Sequence, residues 1–236
     1  MTAVDESLGL RAVAEEALRL VPDGGRVGLG TGRAASVFIA GLGLRCRNGF
    51  RVTCVPTSAA SEKQARALGL PLVDLDEGVI LDLCVDGADE FSESLDLVKG
   101  WGGALVRERI VAAASRRQVI LVGPEKRVAA IGERGKIPVE VIPLARGYVA
   151  GELKKLGAAP TLRMADADRR FVTDNGNVIL DVKPAAPFAT PAAVRDFEAR
   201  VLGIAGVVDT GLFLGMAERV LVGHDDGRVE TLVRRG

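Results

Sequence analysis

The chain has 236 residues, 48% apolar and 26% charged, which suits one large domain or two small ones with a real core and argues against extensive disorder. Lysine plus arginine equals aspartate plus glutamate at 31 each, so the broad positive field that nucleic-acid binding needs is excluded, while a local patch for a small charged metabolite is not. One histidine, His224, and three cysteines without a CxxC pair exclude a histidine- or cysteine-rich zinc site.

The opening residues, Met1 to Glu6, lack the basic start and apolar core of a signal peptide. No apolar run reaches membrane-spanning length, so a cytoplasmic protein without a membrane partner is expected. Apolar residues at helical spacing (Leu10, Val13, Ala14, Ala17, Leu18) predict a helix over 8–20, stopped by Pro22-Asp23-Gly24-Gly25. A strand over 26–30 then leads through Thr31-Gly32 into a helix near 34–42. Strand 52–55 precedes a helix at about 61–68, and the apolar run 72–75 is followed by 80–85. Segment 95–98 leads to a helix at about 104–114, and strand 119–122 closes the series. Apolar strands alternating with helices predict a mainly parallel sheet covered on both faces. Cys54 and Cys84 sit inside these apolar runs and read as buried thiols.

After about residue 130 the order changes to strand 137–142, helix 145–156, strand 161–164, strand 177–182 behind the turn signal Asp174-Asn175-Gly176, helix 191–202 and strand 207–213. That is β-α-β-β-α-β, the ferredoxin-like split unit. The tail predicts a hairpin, 219–222 with 229–233, returning to the first sheet. The expected fold is therefore α/β: a Rossmann-like domain over 1–130 plus 207–236, and a smaller ferredoxin-like α+β domain over 131–206.

Ligands bind beyond the carboxyl ends of strands in open parallel sheets, and three segments fall there. Gly28-Leu29-Gly30-Thr31-Gly32-Arg33 offers backbone N–H groups ahead of a helix amino terminus, which suits an anion. It is neither a P-loop nor GxGxxG, and the second strand ends Pro56-Thr57-Ser58 without the acidic residue a dinucleotide ribose needs, so phosphate is favoured over NAD. Asp86-Gly87-Ala88-Asp89-Glu90 places three carboxylates in five residues, suited to acid–base work, to magnesium, or to nothing beyond a polar loop. Lys99-Gly100-Trp101-Gly102-Gly103 puts an ammonium beside a glycine loop, where it can hold an oxyanion or phosphate. On the following helix Glu108 projects between Ala104, Leu105, Val111 and Ala112, a sector expected to desolvate it and suit it as a base; a surface glutamate paired with arginine is the alternative. Together these groups suit proton abstraction beside a carbonyl in a phosphorylated substrate.

These segments, with Pro138–Pro143, Val172–Asn177 and Gly206–Phe213, resemble ribose-5-phosphate isomerase, type A, in order from about residue 10 to the end. The resemblance implies an aldose–ketose isomerase that interconverts ribose 5-phosphate and ribulose 5-phosphate in the pentose phosphate pathway. It implies Glu108 as the base working through a cis-enediolate, Asp86 assisting ring opening, Asp89 orienting substrate hydroxyls, and Lys99 stabilising the oxyanion. It further implies substrate and phosphate contacts from Gly30, Thr31, Gly32, Arg33, Ala34, Gly87, Ala88, Gly100, Trp101, Gly102, Gly103 and Lys126. No metal or organic cofactor is implied, and the partner expected besides the sugar phosphate is a second copy, in a homodimer or homotetramer.

The chain departs from the family pattern at Arg33-Ala34, where many relatives have hydroxyl residues, and at Leu10, near a common lysine, with Arg11 one residue on; Trp101 is a milder difference. A CoA-transferase-like enzyme would use a glutamate as covalent nucleophile, yet Glu108 lies in the block with Lys99. A sugar-phosphate sensor would carry a DNA-binding domain, for which about 25 residues before the first strand leave no room.

Overall fold

A computed structural model of the protein describes residues 7–76 and 78–234. In chain order its helices are α1 (Leu8–Arg19), α2 (Arg33–Arg47), α3 (Ala59–Ala67), α4 (Leu105–Ala113), α5 (Arg146–Lys155) and α6 (Pro191–Leu202). Its first strands are β1 (Gly25–Leu29), β2 (Val52–Pro56), β3 (Leu83–Gly87), β4 (Glu90–Phe91), β5 (Leu97–Val98) and β6 (Gln118–Val122). They are followed by β7 (Ile137–Val141), β8 (Ala159–Leu162), β9 (Val178–Lys183), β10 (Val207–Thr210), β11 (Leu212–Phe213), β12 (Arg219–Gly223) and β13 (Val229–Val233). The chain forms two compact units. The first takes the residues up to Ala88, then Arg107–Arg127, then those from Met216 on; the second takes Asp89–Val106 and Val128–Gly215.

The first unit is built on a six-stranded sheet of order β13-β12-β6-β3-β1-β2, parallel throughout except for the β12–β13 hairpin. Its strands read as continuous apolar runs because helices cover both faces. On one face α1 (Val13, Ala14, Ala17) and α2 (Phe38, Ile39, Leu42) close over Val27, Leu29, Val85 and Leu121. On the other, Val111 of α4 packs with Val55, Leu81 and Cys84. Each large apolar side chain so buried contributes about 1.5–3 kcal/mol. Glycine sets two of the approaches: a Cβ at Gly28 would lie 2.5 Å from Val111, and one at Gly223 would lie 2.2 Å from the carbonyl oxygen of Gly9 on α1.

The second unit holds a four-stranded antiparallel sheet of order β10-β7-β9-β8, in which α5 joins β7 to β8 and α6 joins β9 to β10. This is the ferredoxin-like arrangement. Its core gathers Val139, Val141, Leu180 and Val182 from the sheet with Val149 and Leu153 of α5 and Phe197 and Val201 of α6. A three-stranded sheet, β11-β5-β4, completes the unit. Ser7 caps α1 and Thr190, ahead of Pro191, caps α6.

Several boundaries differ from the sequence reading. The run 72–75 makes only a single bridge, Leu72 with Cys54, because Cys54 exchanges just two bonds with it, through Pro71 and Val73. Segment 95–98 supplies β5 to the small antiparallel sheet, so it is not a strand of the parallel series. The strand expected over 207–213 is two strands in different sheets. Gly211 is the switch: its N–H donates to Pro138 of β7 while its carbonyl accepts from Lys99 N–H. Residues 89–106 and 207–215, expected in the first domain, accordingly belong to the second unit, and the later crossing falls at Arg127/Val128 because Val128 joins the second core. Among the described residues no helix is long and apolar enough to cross a membrane.

Replacing Gly223 with alanine forces a methyl group into the α1–β12 crossing. Overpacking of this kind costs about 1–3 kcal/mol, so urea unfolding of Gly223→Ala is expected to show a lower midpoint at an unchanged slope. A midpoint equal to the parent's would mean that α1 shifts without cost.

Candidate active site

Because β1, β2, β3 and β6 run parallel, their carboxyl ends lie along one edge of the sheet, and the segments at those ends carry Thr31, Ser58, Asp86 and Lys126. Asp86, fully buried at the end of β3, is the hub. Its Oδ1 accepts the N–H of Thr31 (2.9 Å) and of Gly87 (2.7 Å). Gly30 has to be glycine here, since a Cβ would fall 2.2 Å from that same oxygen. Thr31 Oγ1 bonds Thr57 Oγ1 and Ser58 Oγ, both at 2.8 Å, which ties the loop after β1 to the end of β2.

The two helices that start at this edge have differently finished ends. Ser58 and Ser61 form a reciprocal capping box at α3. At α2 the cap residue is Gly32, with φ +94° and no side chain to accept the first-turn N–H groups. The amino terminus of α2 thus presents unsatisfied donors and the positive end of its dipole, with open space beside Gly32. Arg33 is the exposed first residue of α2, and Ala34 behind it is buried. Gly87 and Ala88 are half-buried, as is Lys126 in the short 3-10 turn Pro124–Lys126 after β6. Glu108 of α4 is only 4% exposed, and Ala104, Leu105, Val111 and Ala112 are all buried, as its helical sector predicted.

Asp89 and Lys99 belong to the second unit, whereas Asp86 and Glu108 belong to the first. Lys99 follows β5, is 2% exposed, and has its Nζ 5.4 Å from the centroid of Phe213. The glycine loop after it turns through φ +96° at Gly100 and +89° at Gly103, angles that only glycine adopts readily. Asp89 Oδ2 accepts the Trp101 N–H at 2.9 Å. The Trp101 indole N–H donates to the carbonyl of Lys136 at 2.9 Å, with Arg134 and Lys136 each 5.2 Å from its ring. Its side chain thereby anchors the loop; a tryptophan with an N–H needs an acceptor once half-buried. Gly102 is exposed and Gly103 is buried.

Glu90, the third carboxylate of its segment, is structural. It is fully buried and accepts the N–H of Gly132 (2.7 Å) and Arg134 (2.9 Å). Burial pushes its carboxyl above the usual range, and the two N–H bonds pull it partly back. Among the described residues no group of three His, Cys, Asp or Glu side chains gathers as if round a metal ion. Sequence reasoning missed Arg163 and Glu140. Arg163 grips the glycine loop from the second unit, and buried Glu140 holds Thr173, Asn175 and Asn177 through one oxygen. Neither had a local signal beyond a charged residue next to or within a strand.

The family model for ribose 5-phosphate isomerase A (phosphoriboisomerase A) matches residues 53–227. Ribose-5-phosphate isomerase A of Roseiflexus sp. is 44% identical over 96% of this chain and 97% of its own, and that of Deinococcus radiodurans is 42% identical over 99% of both. The solved structure of ribose 5-phosphate isomerase A from Methanocaldococcus jannaschii, 40% identical, superposes with a TM-score of 0.88 over 96% of this chain and 98% of its own. A D-ribose-5-phosphate isomerase in complex with phospho-erythronic acid, 34% identical, superposes at 0.90 over 97% and 100%. An α/β protein with an anion-ready helix end at the carboxyl edge of its sheet is in keeping with an enzyme of phosphorylated metabolites. The chain belongs to the ribose 5-phosphate isomerase A family.

Truncating Glu90 leaves the buried N–H of Gly132 without an acceptor, at about 1–3 kcal/mol, and also removes the acceptor of the Arg134 N–H. Glu90→Ala is expected to lower the thermal transition by several degrees. An unchanged transition would remove the structural role.

Proposed function

We propose that this chain interconverts D-ribose 5-phosphate and D-ribulose 5-phosphate through a cis-enediolate, as a step of the non-oxidative pentose phosphate pathway. The observation that carries the reading is the 44% identity over 96% of the chain to a named isomerase. The burial of Lys99, Glu108 and Asp86 supports the roles that the resemblance assigns to them. In this reading Asp86 assists opening of the furanose ring. Glu108 removes the C2 proton of the open-chain aldose and returns it to C1, while the O2 proton moves to O1. Nothing is oxidised overall and no water is consumed. Lys99 stabilises the enediolate oxygen in a water-poor setting, where an ammonium is worth more than in solvent. Asp89 orients substrate hydroxyls, and its bond to the Trp101 N–H holds it in place to do so.

The phosphate lies at the amino terminus of α2, against backbone N–H groups of Gly32, Arg33 and Ala34, with Thr31 and Lys126 contributing. The uncapped end of α2 supports this placement, and the phospho-erythronic acid named for the 34%-identical relative supports a phosphate-bearing substrate. Arg33 supplies a charged fork where many relatives have hydroxyls; it is exposed and makes no ion pair with the described residues. The reaction needs no metal or organic cofactor in this scheme. The proposal places the enzyme in the cytoplasm, where charge retains phosphorylated sugars, as a homodimer or homotetramer. Exposed Ile142, Leu144 and Tyr148 at the start of α5 support an assembly.

The test is direct assay on ribose 5-phosphate. Glu108→Gln keeps shape but cannot accept the proton, so kcat is expected to fall by ~10²–10⁴ with KM within a few-fold. Near-normal turnover by the purified variant would remove Glu108 from the role.

Arg33→Ala is expected to raise KM for ribose 5-phosphate about tenfold, in line with ~1.5–3 kcal/mol for a charged hydrogen bond. Turnover of unphosphorylated ribose should be unchanged, because that substrate lacks the group contacted. Equal losses on both sugars would place Arg33 in the scaffold, and no loss on either would leave it in solvent.

A further inference from the structure

The glycine loop that follows Lys99 has no side chains of its own to hold it except Trp101, yet it is fixed on several sides. Arg163, just beyond β8 and 8% exposed, donates from its Nη1 to two successive carbonyls of the loop, Gly100 at 2.9 Å and Trp101 at 3.0 Å. The rest of its guanidinium is committed elsewhere. Nε donates to Asp181 Oδ2 at 2.9 Å and Nη2 to Asp181 Oδ1, a bidentate pair with a residue of β9. The Phe171 ring lies 5.7 Å from the guanidinium and fills the space beside Gly103, where a Cβ would fall 2.3 Å from the ring.

In a trans peptide the carbonyl and the N–H point in opposite directions. Drawing the Gly100 and Trp101 carbonyls to Arg163 therefore turns the next two N–H groups, those of Trp101 and Gly102, away from it. The Trp101 N–H then meets Asp89 Oδ2. The Gly102 N–H has no acceptor among the described residues, and Gly102 is exposed. We propose that Arg163, fixed by Asp181, is a positioning residue for the isomerisation: it sets the two peptide planes after Lys99 so that the Gly102 N–H points at a substrate oxygen. This rests on the isomerase reading of Lys99. A guanidinium suits the task because its rigid fork serves a carboxylate on one edge and carbonyls on another, which an ammonium cannot do.

Two variants test it. Arg163→Ala alone would leave Asp181 without its main partner, so the first is the double replacement Arg163→Met with Asp181→Leu, which removes both charges together. The second is Arg163→Lys, which keeps the charge and loses the fork. Both are assayed beside the parent for kcat, KM and thermal transition. The double variant is expected to keep a transition near the parent's, with kcat down about 10²-fold, the scale of a misplacement near 1 Å. KM should stay within about threefold, because the phosphate contacts lie elsewhere. Arg163→Lys should recover part of kcat. Folded variants with kcat within twofold of an active parent overturn the inference alone. A kcat that falls only in step with the thermal transition overturns it in favour of a scaffold role. A parent inert on ribose 5-phosphate overturns the isomerase reading and this inference with it.

Discussion

A single carboxylate oxygen organises the edge of the first unit. Asp86 Oδ1 takes the N–H groups of Thr31 and Gly87, so the loop after β1 cannot move independently of the end of β3. The approach is open only because Gly30 lacks a Cβ, and once Thr31 is held its hydroxyl reaches Thr57 and Ser58 at the end of β2. Three strand ends are thereby locked together, and α2 starts from that locked loop with its amino terminus unfilled. The residue proposed to assist ring opening is therefore also part of the frame that shapes the phosphate cradle.

The second unit repeats the device with different members. Asp89 holds the Trp101 N–H, Glu90 holds Gly132 and Arg134, and Glu140 holds the Thr173–Asn177 turn. Arg163 does the converse, holding carbonyls instead of N–H groups. Loops with positive φ at glycine have few side chains to pack, so their geometry has to be imposed from outside, and charged groups on nearby strands impose it. The cost appears at Glu90, whose burial raises its carboxyl pKa. Equal totals of acidic and basic residues conceal this arrangement, because the charges that matter act over about 3 Å and not as a field.

Glycine contributes by absence as much as by flexibility. Gly28 lets α4, which carries Glu108, settle onto the sheet, and Gly211 lets one residue serve two sheets at once. Gly103 leaves room for Phe171. In each case a Cβ would fall 2.3–2.5 Å from its neighbour, so the close contact and the residue type imply each other.

The alternating apolar strands and helices of the first unit, the β-α-β-β-α-β order of the second and the buried sector around Glu108 were all legible in the sequence, since they follow from periodicity and from turn residues that act over a few positions. The resemblance likewise rested on contiguous blocks. Tertiary structure alone decided which sheet a short run joins: β5 and β11 are two residues long, too short to show a period, and Gly211 divides a run that looks continuous. It alone decided the fate of chemically identical groups. Asp86, Asp89 and Glu90 are three like carboxylates within five residues, yet each holds a different backbone segment, and Glu90 is spent on structure. Trp101 turned out to be an anchor, and Arg163 and Asp181 a clamp, because their partners lie 35 to 63 residues away or on a neighbouring strand. Periodicity acts along the chain and can be read there; a hydrogen bond between distant segments depends on a distance that only the folded chain sets.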